Sequence, residues 1–320
     1  SISLTLRFGF ANASKQSARH VERDGYVAAA LLRLTFVALG FVIVTLANSV
    51  RADDQPHWSF RPLRQPTLPV VKDSLRTRTP IDRFIQAKLE SNGLTLTREA
   101  DRATLVRRVA FDLTGLPPSV HDIREFEADQ SPDAYERMVD RFLASPHYGE
   151  RWGKWWLDVA GYADSNGYFN ADSDRPLAYR YRDYVIRSLN EDKPFDEFVR
   201  EQIAGDELSG FDPKQHARAA TPRMIELLEA THFLRNGPDG SGESDGNPEE
   251  VRIDRYYALD GTQQVLGSSL LGLTIQCAKC HDHKFEPIPQ RDYYQLQAFL
   301  FPIFNLDRGV KPNERFVHAS

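Results

Sequence analysis

A series of helix boundary signals from Thr79 onward constrains the fold of this chain more than any other feature. Thr79-Pro80 has the form of an N-cap followed by proline at the first helical position, and Gly93 stands where that helix should end. The same order of start signal, apolar face and stop signal repeats along the chain, and alternating strand-like runs are nearly absent. The sequence therefore predicts an all-α, multi-helix globular domain with long loops.

The later helices can be placed approximately from the same signals. Four are expected to begin near Asp101, at Ser119, at Ser131-Pro132 and at Ser145-Pro146. Five more are expected over residues 177–189, 194–203, 222–234, 249–271 and 289–300. A chain of 320 residues is long enough to bury a sizeable core around such helices.

The only two cysteines of the chain, Cys277 and Cys280, stand in the spacing C-x-x-C-H with His281. This spacing is the attachment signature of a c-type haem. Each thiol can form a thioether to one vinyl group of the porphyrin, and the histidine supplies an axial nitrogen to the iron. We therefore expect Cys277, Cys280 and His281 to bind haem c.

Three other interpretations of this segment remain open. Cys277, Cys280, His281 and His283 could hold zinc or another divalent metal, although the spacing is more compact than ordinary zinc spacing. The cysteines could instead form a disulfide, or a redox-active pair of the thioredoxin kind, which requires a βαβ context that the sequence lacks.

The sixth ligand of such a haem is not expected to be methionine. Met138 and Met224 both precede the motif, and only 39 residues follow His281. His283 is too close to His281 to reach the opposite face of one porphyrin, so a more distant histidine, a non-protein ligand or no ligand is expected. The candidate histidines are His147, His232 and His318.

The N-terminal segment has the pattern of an export signal. Basic residues precede an apolar run over residues 34–47, and small residues follow it. Residues 1–52 are predicted to be a cleaved signal or an anchor in which residues 26–47 meet the membrane. The rest of the chain would then be exported, either to the periplasm or to the cell surface.

The net charge of −5 argues against nucleic acid as a partner.

The predicted organisation continues with a Pro-rich linker or arm over residues 53–79 and a helical domain over residues 80–304. Residues 305–320 are expected to be the start of a following region.

Between two helices, an acidic loop places Asp239, Glu243, Asp245 and Glu250 at ligand positions of an EF-hand-like register. Ser244 stands where that loop needs glycine, so calcium is the weaker hypothesis against a solvated loop.

A second cluster combines aromatic and acidic residues. Its members are Trp152, Trp155, Trp156, Tyr162, Tyr168 and Phe169 around Asp158 and Asp164. Aromatic faces beside a carboxylate pair suit a sugar site, although aromatic residues at helical spacing are more often packing. A polysaccharide-acting enzyme or binding module with structural cysteines is therefore the alternative to an electron-transfer or oxidoreductive function.

Several motifs occur in order along the chain, in the segments 151–153, 156–160, 162–164, 181–185, 193–196, 202–206, 271–274 and 277–289. Together they resemble the planctomycete cytochrome-c-associated domain of unknown function. The resemblance covers roughly residues 57–304. It implies an exported protein with a haem motif, and a redox protein or an adjoining cytochrome domain as partner. Trp155 and Gly161 depart from the pattern, because a histidine and an arginine are expected there.

Overall fold

The computed structural model describes residues 58–168, 171–212, 220–240, 247–304 and 306. Within these ranges the chain is helical, no β-strand forms, and the single antiparallel bridge joins Ser165 to Asp174. The all-α prediction is confirmed. The chain divides into two compact units, Ser1–Thr97 and Arg98–Ser320. The predicted signal or anchor of residues 1–52 and most of residues 305–320 lie outside the described residues, and the predicted domain boundaries stay predictions.

The α-helices of the described residues are numbered in chain order. They are α1 Pro80–Ser91, α2 Arg102–Thr114, α3 Val120–Ala128, α4 Ala134–Leu143, α5 Pro146–Val159, α6 Tyr179–Asn190, α7 Phe195–Ser209, α8 Pro222–Ala230, α9 Pro248–Leu266 and α10 Gln290–Phe304. Short 3₁₀ turns cover Trp58–Phe60, Thr231–Arg235 and Gln276–Lys279, and one π turn covers Gly267–Leu271. Within the described residues, no helix is both long enough and apolar enough to span a bilayer.

In the first unit, the Pro-rich segment is held to α1 by polar contacts. The Thr79 hydroxyl accepts from the amide of Asp82, and the Asp82 carboxylate accepts from the amide of Thr79, which completes a capping box. At the other end of α1, the Glu90 carboxylate accepts from the amide of Lys72 at 3.0 Å. The described part of the predicted arm therefore lies along the helix that follows it.

Among the described residues of the second unit, apolar side chains form three clusters. The first lies between α2, α3 and α4, with Val106, Phe126 and Met138 at its centre. The second contains Tyr181 and Tyr184 of α6 with side chains from α7 and the 3₁₀ turn after α8. The third joins α9 to α10. Met138 is 2% exposed, so its thioether packs inside the first cluster.

A polar network ties α6, α7 and α8 together within the second unit. The carboxylate of Glu201, 1% exposed, accepts from Lys193 at 2.7 Å, from the Tyr184 hydroxyl at 2.8 Å, and from Arg223. Burial opposes ionisation of Glu201, but these donors outweigh it and lower the carboxyl pKa. Lys193 also pairs with Glu226 at 3.0 Å, so its buried ammonium lies against two carboxylates, those of Glu201 and Glu226.

Candidate cofactor site

The C-x-x-C-H motif begins on the 3₁₀ turn Gln276–Lys279, between α9 and α10. The π turn before it ends at Gly272, whose φ of 64° is left-handed and suits glycine. At Gly267 an added Cβ would lie 3.0 Å from Cδ1 of Ile275, so the missing side chain lets Ile275 pack closely. Ile275 and Ala278 are buried, which fixes one side of the motif turn against the body of the unit.

Lys279, inside the motif, makes the polar contacts of that inner side. Its Nζ lies 3.0 Å from Oδ2 of Asp260 on α9 and 4.9 Å from the ring centre of Tyr256. Its carbonyl accepts from Nε2 of Gln290 and the hydroxyl of Tyr294, both at 3.0 Å. Burial alone would lower the pKa of Lys279, but the hydrogen bond and charge of Asp260 raise it above its ordinary value.

Asp260 connects the motif turn to both neighbouring helices. Besides Lys279 it accepts the hydroxyl of Tyr293 on α10. Burial and this hydrogen bond to a carboxylate raise the pKa of Tyr293 above its ordinary value, so the phenol stays protonated as a donor. The side chains that hold Lys279, and the turn with it, therefore lie on α9 and α10.

The two thiols lie on the outer side of the turn. Cys277 and Cys280 are both exposed and both free. Since Ala278 is buried and the Lys279 side chain reaches Asp260, the two residues between the cysteines make the contacts with the body of the unit. The cysteines are thus available for chemistry without any loss of packing.

The two histidines of the segment have opposite hydrogen-bond roles. Nδ1 of His281 lies 2.7 Å from the carbonyl oxygen of Asp282, so this nitrogen carries the proton and Nε2 keeps its lone pair. Nδ1 of His283 accepts from the amides of Phe285 at 3.2 Å and Glu286 at 2.9 Å, so its proton is on Nε2. His281 therefore presents a ligand nitrogen, whereas His283 stabilises the loop.

No group of three or more histidine, cysteine, aspartate or glutamate side chains comes together as a metal site within the described residues. The four residues of the zinc hypothesis are all described, and the structure does not gather them into a ready ligand set. Zinc or another divalent metal at Cys277, Cys280, His281 and His283 stays a prediction.

Comparison with known families decides where this chain belongs. The family PSCyt2, described as "Protein of unknown function (DUF1549)", matches residues 80–304. The chain belongs to the PSCyt2 family. The match agrees with the resemblance to a planctomycete cytochrome-associated domain of unknown function, and it contains α1 to α10 and the motif turn. No curated protein and no solved structure matches the chain.

The predicted distant ligands lie in dissimilar surroundings in the PSCyt2 domain. His147, at the start of α5, is exposed and lies 2.7 Å from Oε2 of Glu150. Met224, which is not expected to be a ligand, is partly buried on α8. His232 stacks on Tyr181 with ring centres 5.7 Å apart. His318 lies outside the described residues, and which residue completes the coordination of a haem stays open.

His232 is held neutral by its environment. Its Nδ1 is paired with Oδ1 of Asn236 at 2.9 Å. Burial, followed by the charges of Arg175 and Arg235, lowers its pKa to about 4 against the opposing effect of Asn236. The ring therefore serves packing at neutral pH and charges only in acid.

We expect this depressed pKa to make stability pH-dependent. An unfolded histidine has a pKa of about 6.5. Between that value and about 4 the unfolded chain binds more protons, so stability present above pH 6.5 is lost as the pH falls toward 4. From pH 6.5 to 4.5 the free energy of unfolding should fall by about 2 kcal/mol more than in His232→Phe, as measured by urea unfolding. Equal pH slopes would contradict this explanation.

The residues of the calcium hypothesis are only partly described. Asp239 is 6% exposed, and its amide donates to the carbonyl of Asn166 at 2.9 Å. Asn247 is engaged as the N-cap of α9. Glu250 is exposed in the first turn of α9, and Glu243 and Asp245 lie outside the described residues. Calcium at this loop stays a prediction.

The predicted aromatic and acidic cluster does not form a single site. Trp152, Trp155 and Trp156 line one cleft on α5, and neither Asp158 nor Asp164 is among its lining residues. The hydroxyl of Tyr162 instead donates to Asp164 at 2.6 Å. Tyr168 packs against Gly240, and Phe169 lies outside the described residues.

Other residues, which the sequence did not indicate, also line this cleft. They are Tyr148, Val159, Ser188, Leu189, Lys193, Phe195 and Phe198. Helix periodicity places Tyr148 and Val159 on the same face of α5 as the tryptophans, so these two could have been found. The others come from α6, α7 and the loop between them, and only the tertiary fold brings them together.

Proposed function

We propose that this PSCyt2 domain is an exported haem-binding module in an electron-transfer or oxidoreductive system, with c-type haem on Cys277, Cys280 and His281. The observation that supports the proposal is that the residues of the motif turn have two separate roles. Two free thiols and an imidazole Nε2 remain available, while Ala278 and Lys279 hold the turn to the body. This donor set fits the attachment chemistry of haem c.

Each residue of the motif has a distinct role in this proposal. The sulfurs of Cys277 and Cys280 would hold the haem through thioether links, and Nε2 of His281 would bind its iron. The carbonyl of Asp282 holds the proton on Nδ1, which fixes the tautomer and increases the basicity of the ligand nitrogen. Bound haem would supply a one-electron redox centre. A redox partner protein or an adjoining cytochrome domain could approach the motif turn because the thiols are exposed.

Zinc is the less favoured occupant of the same residues. A structural zinc site requires four donors, usually thiolates and imidazole nitrogens. His283 would have to give up two backbone hydrogen bonds before its Nδ1 could bind a metal. The polysaccharide alternative has no carboxylate pair lining the aromatic cleft to support it.

The visible spectrum tests this proposal directly. Protein exported from cells able to mature c-type cytochromes should show a Soret band and the bands of covalent haem. The ferric form should lack the weak near-infrared band of methionine ligation, and Met224→Leu should leave the spectrum unchanged. A colourless protein that contains zinc by elemental analysis would overturn the haem proposal. A spectrum that changes to high spin in Met224→Leu would refute the ligand assignment alone.

Export is the second part of the proposal. It rests on the apolar run of residues 34–47 and on the fact that a c-type haem is attached outside the cytoplasm. N-terminal sequencing of the exported protein should find cleavage after Ser49 or Ala52. Recovery of the upstream residues in the membrane fraction would show an anchor instead, and retention of the protein in the cytoplasm would contradict export.

A further inference from the structure

A cavity between α2 and α3 shares no lining residue with the motif turn or with the cleft on α5. Its volume is about 430 Å³, within the size range of small-molecule sites. One wall is α2, where Ala103, Arg107 and Phe111 are spaced four residues apart and therefore lie on one face of the helix. The other walls come from the connection between the two helices and from α3, through Pro117, Pro118 and Ile123.

Hydrogen bonds fix the walls of this α2–α3 cavity relative to each other. At the start of α2, Arg102 donates its Nε–H to the carbonyl of Phe126 at 2.8 Å and an Nη2–H to the carbonyl of Asp129 at 2.6 Å, which ties α2 to the end of α3. At the other end of α2, the hydroxyl of Thr114 accepts from the amide of Leu116 at 3.3 Å and so orders the connection. The cavity is therefore preformed, which lowers the entropic cost of binding a ligand.

Arg107 is the positively charged side chain of the cavity. Its Cζ lies 5.0 Å from the centre of the Phe111 ring, and because Phe111 also lines the cavity, the guanidinium lies at the cavity edge. Among the described residues, no carboxylate pairs with Arg107 and no group accepts a hydrogen bond from it. Arg102, Arg137 and Arg141 on the neighbouring helices are all bonded to protein oxygens. The N–H groups of Arg107 are thus available to a ligand.

The other walls of the cavity are mostly apolar. Thr104 is an exception, but its hydroxyl already donates to Oδ2 of Asp101 at 2.9 Å. The Asp101 carboxylate also places a negative charge beside the cavity, which disfavours a ligand with more than one negative charge. A ligand therefore meets apolar surface on most sides and one set of free donors, those of Arg107.

These features select an apolar ring that carries a single carboxylate. A planar guanidinium donates two parallel hydrogen bonds to the two oxygens of a carboxylate. An amine would be repelled by Arg107, and a sugar would leave most of its hydroxyls without partners against the apolar walls. The faces of Phe111 and the two prolines suit a flat ring. We propose that the α2–α3 cavity binds a small aromatic monocarboxylate, whose carboxylate accepts from Arg107.

Calorimetric titration of the protein with 2-naphthoate tests this proposal. We expect saturable binding of one ligand per chain, weakened about tenfold or more in Arg107→Gln because both charge-assisted hydrogen bonds are lost. Arg107→Lys keeps the charge but not the planar fork, so it should recover only part of the affinity. The uncharged 2-naphthalenemethanol should bind weakly and equally to the parent and to Arg107→Gln. Arg108→Gln, at an exposed arginine outside the cavity lining, is the matched control and should change neither ligand.

A second variant tests the position of the site, and none of these measurements depends on haem. Ala103→Leu places a larger side chain in the cavity and should weaken both ligands. Arg107 is exposed, so its variants should unfold at the same urea concentration as the parent. Heat that does not saturate with 2-naphthoate would overturn the site, and equal weakening in Arg107→Gln and Arg108→Gln would show only non-specific attraction. Tighter binding of phenyl phosphate than of 2-naphthoate would refute the carboxylate and assign the cavity to phosphates.

Discussion

Replacing Cys277 and Cys280 together with serine is expected to abolish covalent haem attachment completely. Serine replaces the thiol with a hydroxyl on a side chain of the same shape and cannot form a thioether, so both links to the porphyrin are lost. Denaturing gels stained for haem peroxidase activity should show a band for the wild-type protein and none for the double variant. Protein detected at equal amounts by antibody would show that loss of stain is not loss of protein.

Two controls distinguish loss of the thioether links from loss of folding as the cause of a missing haem stain. Both thiols are exposed and free, so the serine variant without haem should unfold within about 0.5 kcal/mol of the wild-type protein without haem. Thr274→Ser, just before the motif turn, should retain the stain. Stain that persists in the double-serine variant would mean that haem is attached elsewhere or is not covalent. It would exclude the assignment to these cysteines.

The largest loss of stability is expected at the crossing of α5 and α6. An added Cβ at Gly149 would lie 2.4 Å from the carbonyl oxygen of Ile186 and 2.7 Å from the side chain of Asn190. The amide of Gly149 also donates to Oδ1 of Asn190 at 2.8 Å, which fixes the approach of the two helices. Gly149→Ala must therefore separate them, at a cost of about 2–4 kcal/mol in urea unfolding.

Gly153, one turn further along α5, is the matched control. Its added Cβ would meet Cγ1 of Ile186 at 3.4 Å, an ordinary contact with a movable side chain. Alanine is also favoured over glycine in a helix interior by about 1 kcal/mol. Gly153→Ala should therefore be neutral or stabilising. Equal destabilisation of both variants would contradict the explanation based on close backbone approach.

Local signals in the sequence were sufficient for most helix starts. Thr79 forms the predicted N-cap, Ser119 completes a capping box, and Gly115 ends α2 with a left-handed φ of 71°. These features depend on a few adjacent residues, so the sequence contains the necessary information. The prediction at Ser131-Pro132 was less accurate, because α4 begins at Ala134 after Asp133, which makes no side-chain cap.

Helix ends that depend on tertiary contacts were predicted less well. The segment expected as one helix over residues 222–234 is α8 followed by a 3₁₀ turn, and the one over residues 249–271 is α9 followed by a π turn. The last helix continues through Pro302 to Phe304, beyond its predicted end at residue 300. Phe304 packs in the cluster between α9 and α10, and this burial outweighs the local cost of proline.

The residues of the candidate site also divide into those that the sequence predicts and those that only the folded chain brings together. The sequence predicts Cys277, Cys280 and His281 as the haem site because the motif depends on spacing alone, and this assignment stays a prediction. It could not assign Asp260, which lies 19 residues before Lys279 and meets it only in the folded chain. Nor could it show that the rings of His281 and His283 carry their protons on different nitrogens, since that difference lies in which backbone groups each ring contacts.

The anchoring of the motif turn has a consequence for the order of events in the cell. Ala278 and Lys279 supply the contacts with the body, and the thiols supply none of those described. If haem is attached as proposed, folding of the polypeptide would therefore not depend on the attachment at these thiols. A maturation enzyme would then meet a preformed substrate whose reactive groups already stand outside the fold. Chains that miss this modification would persist as folded protein rather than be cleared as misfolded.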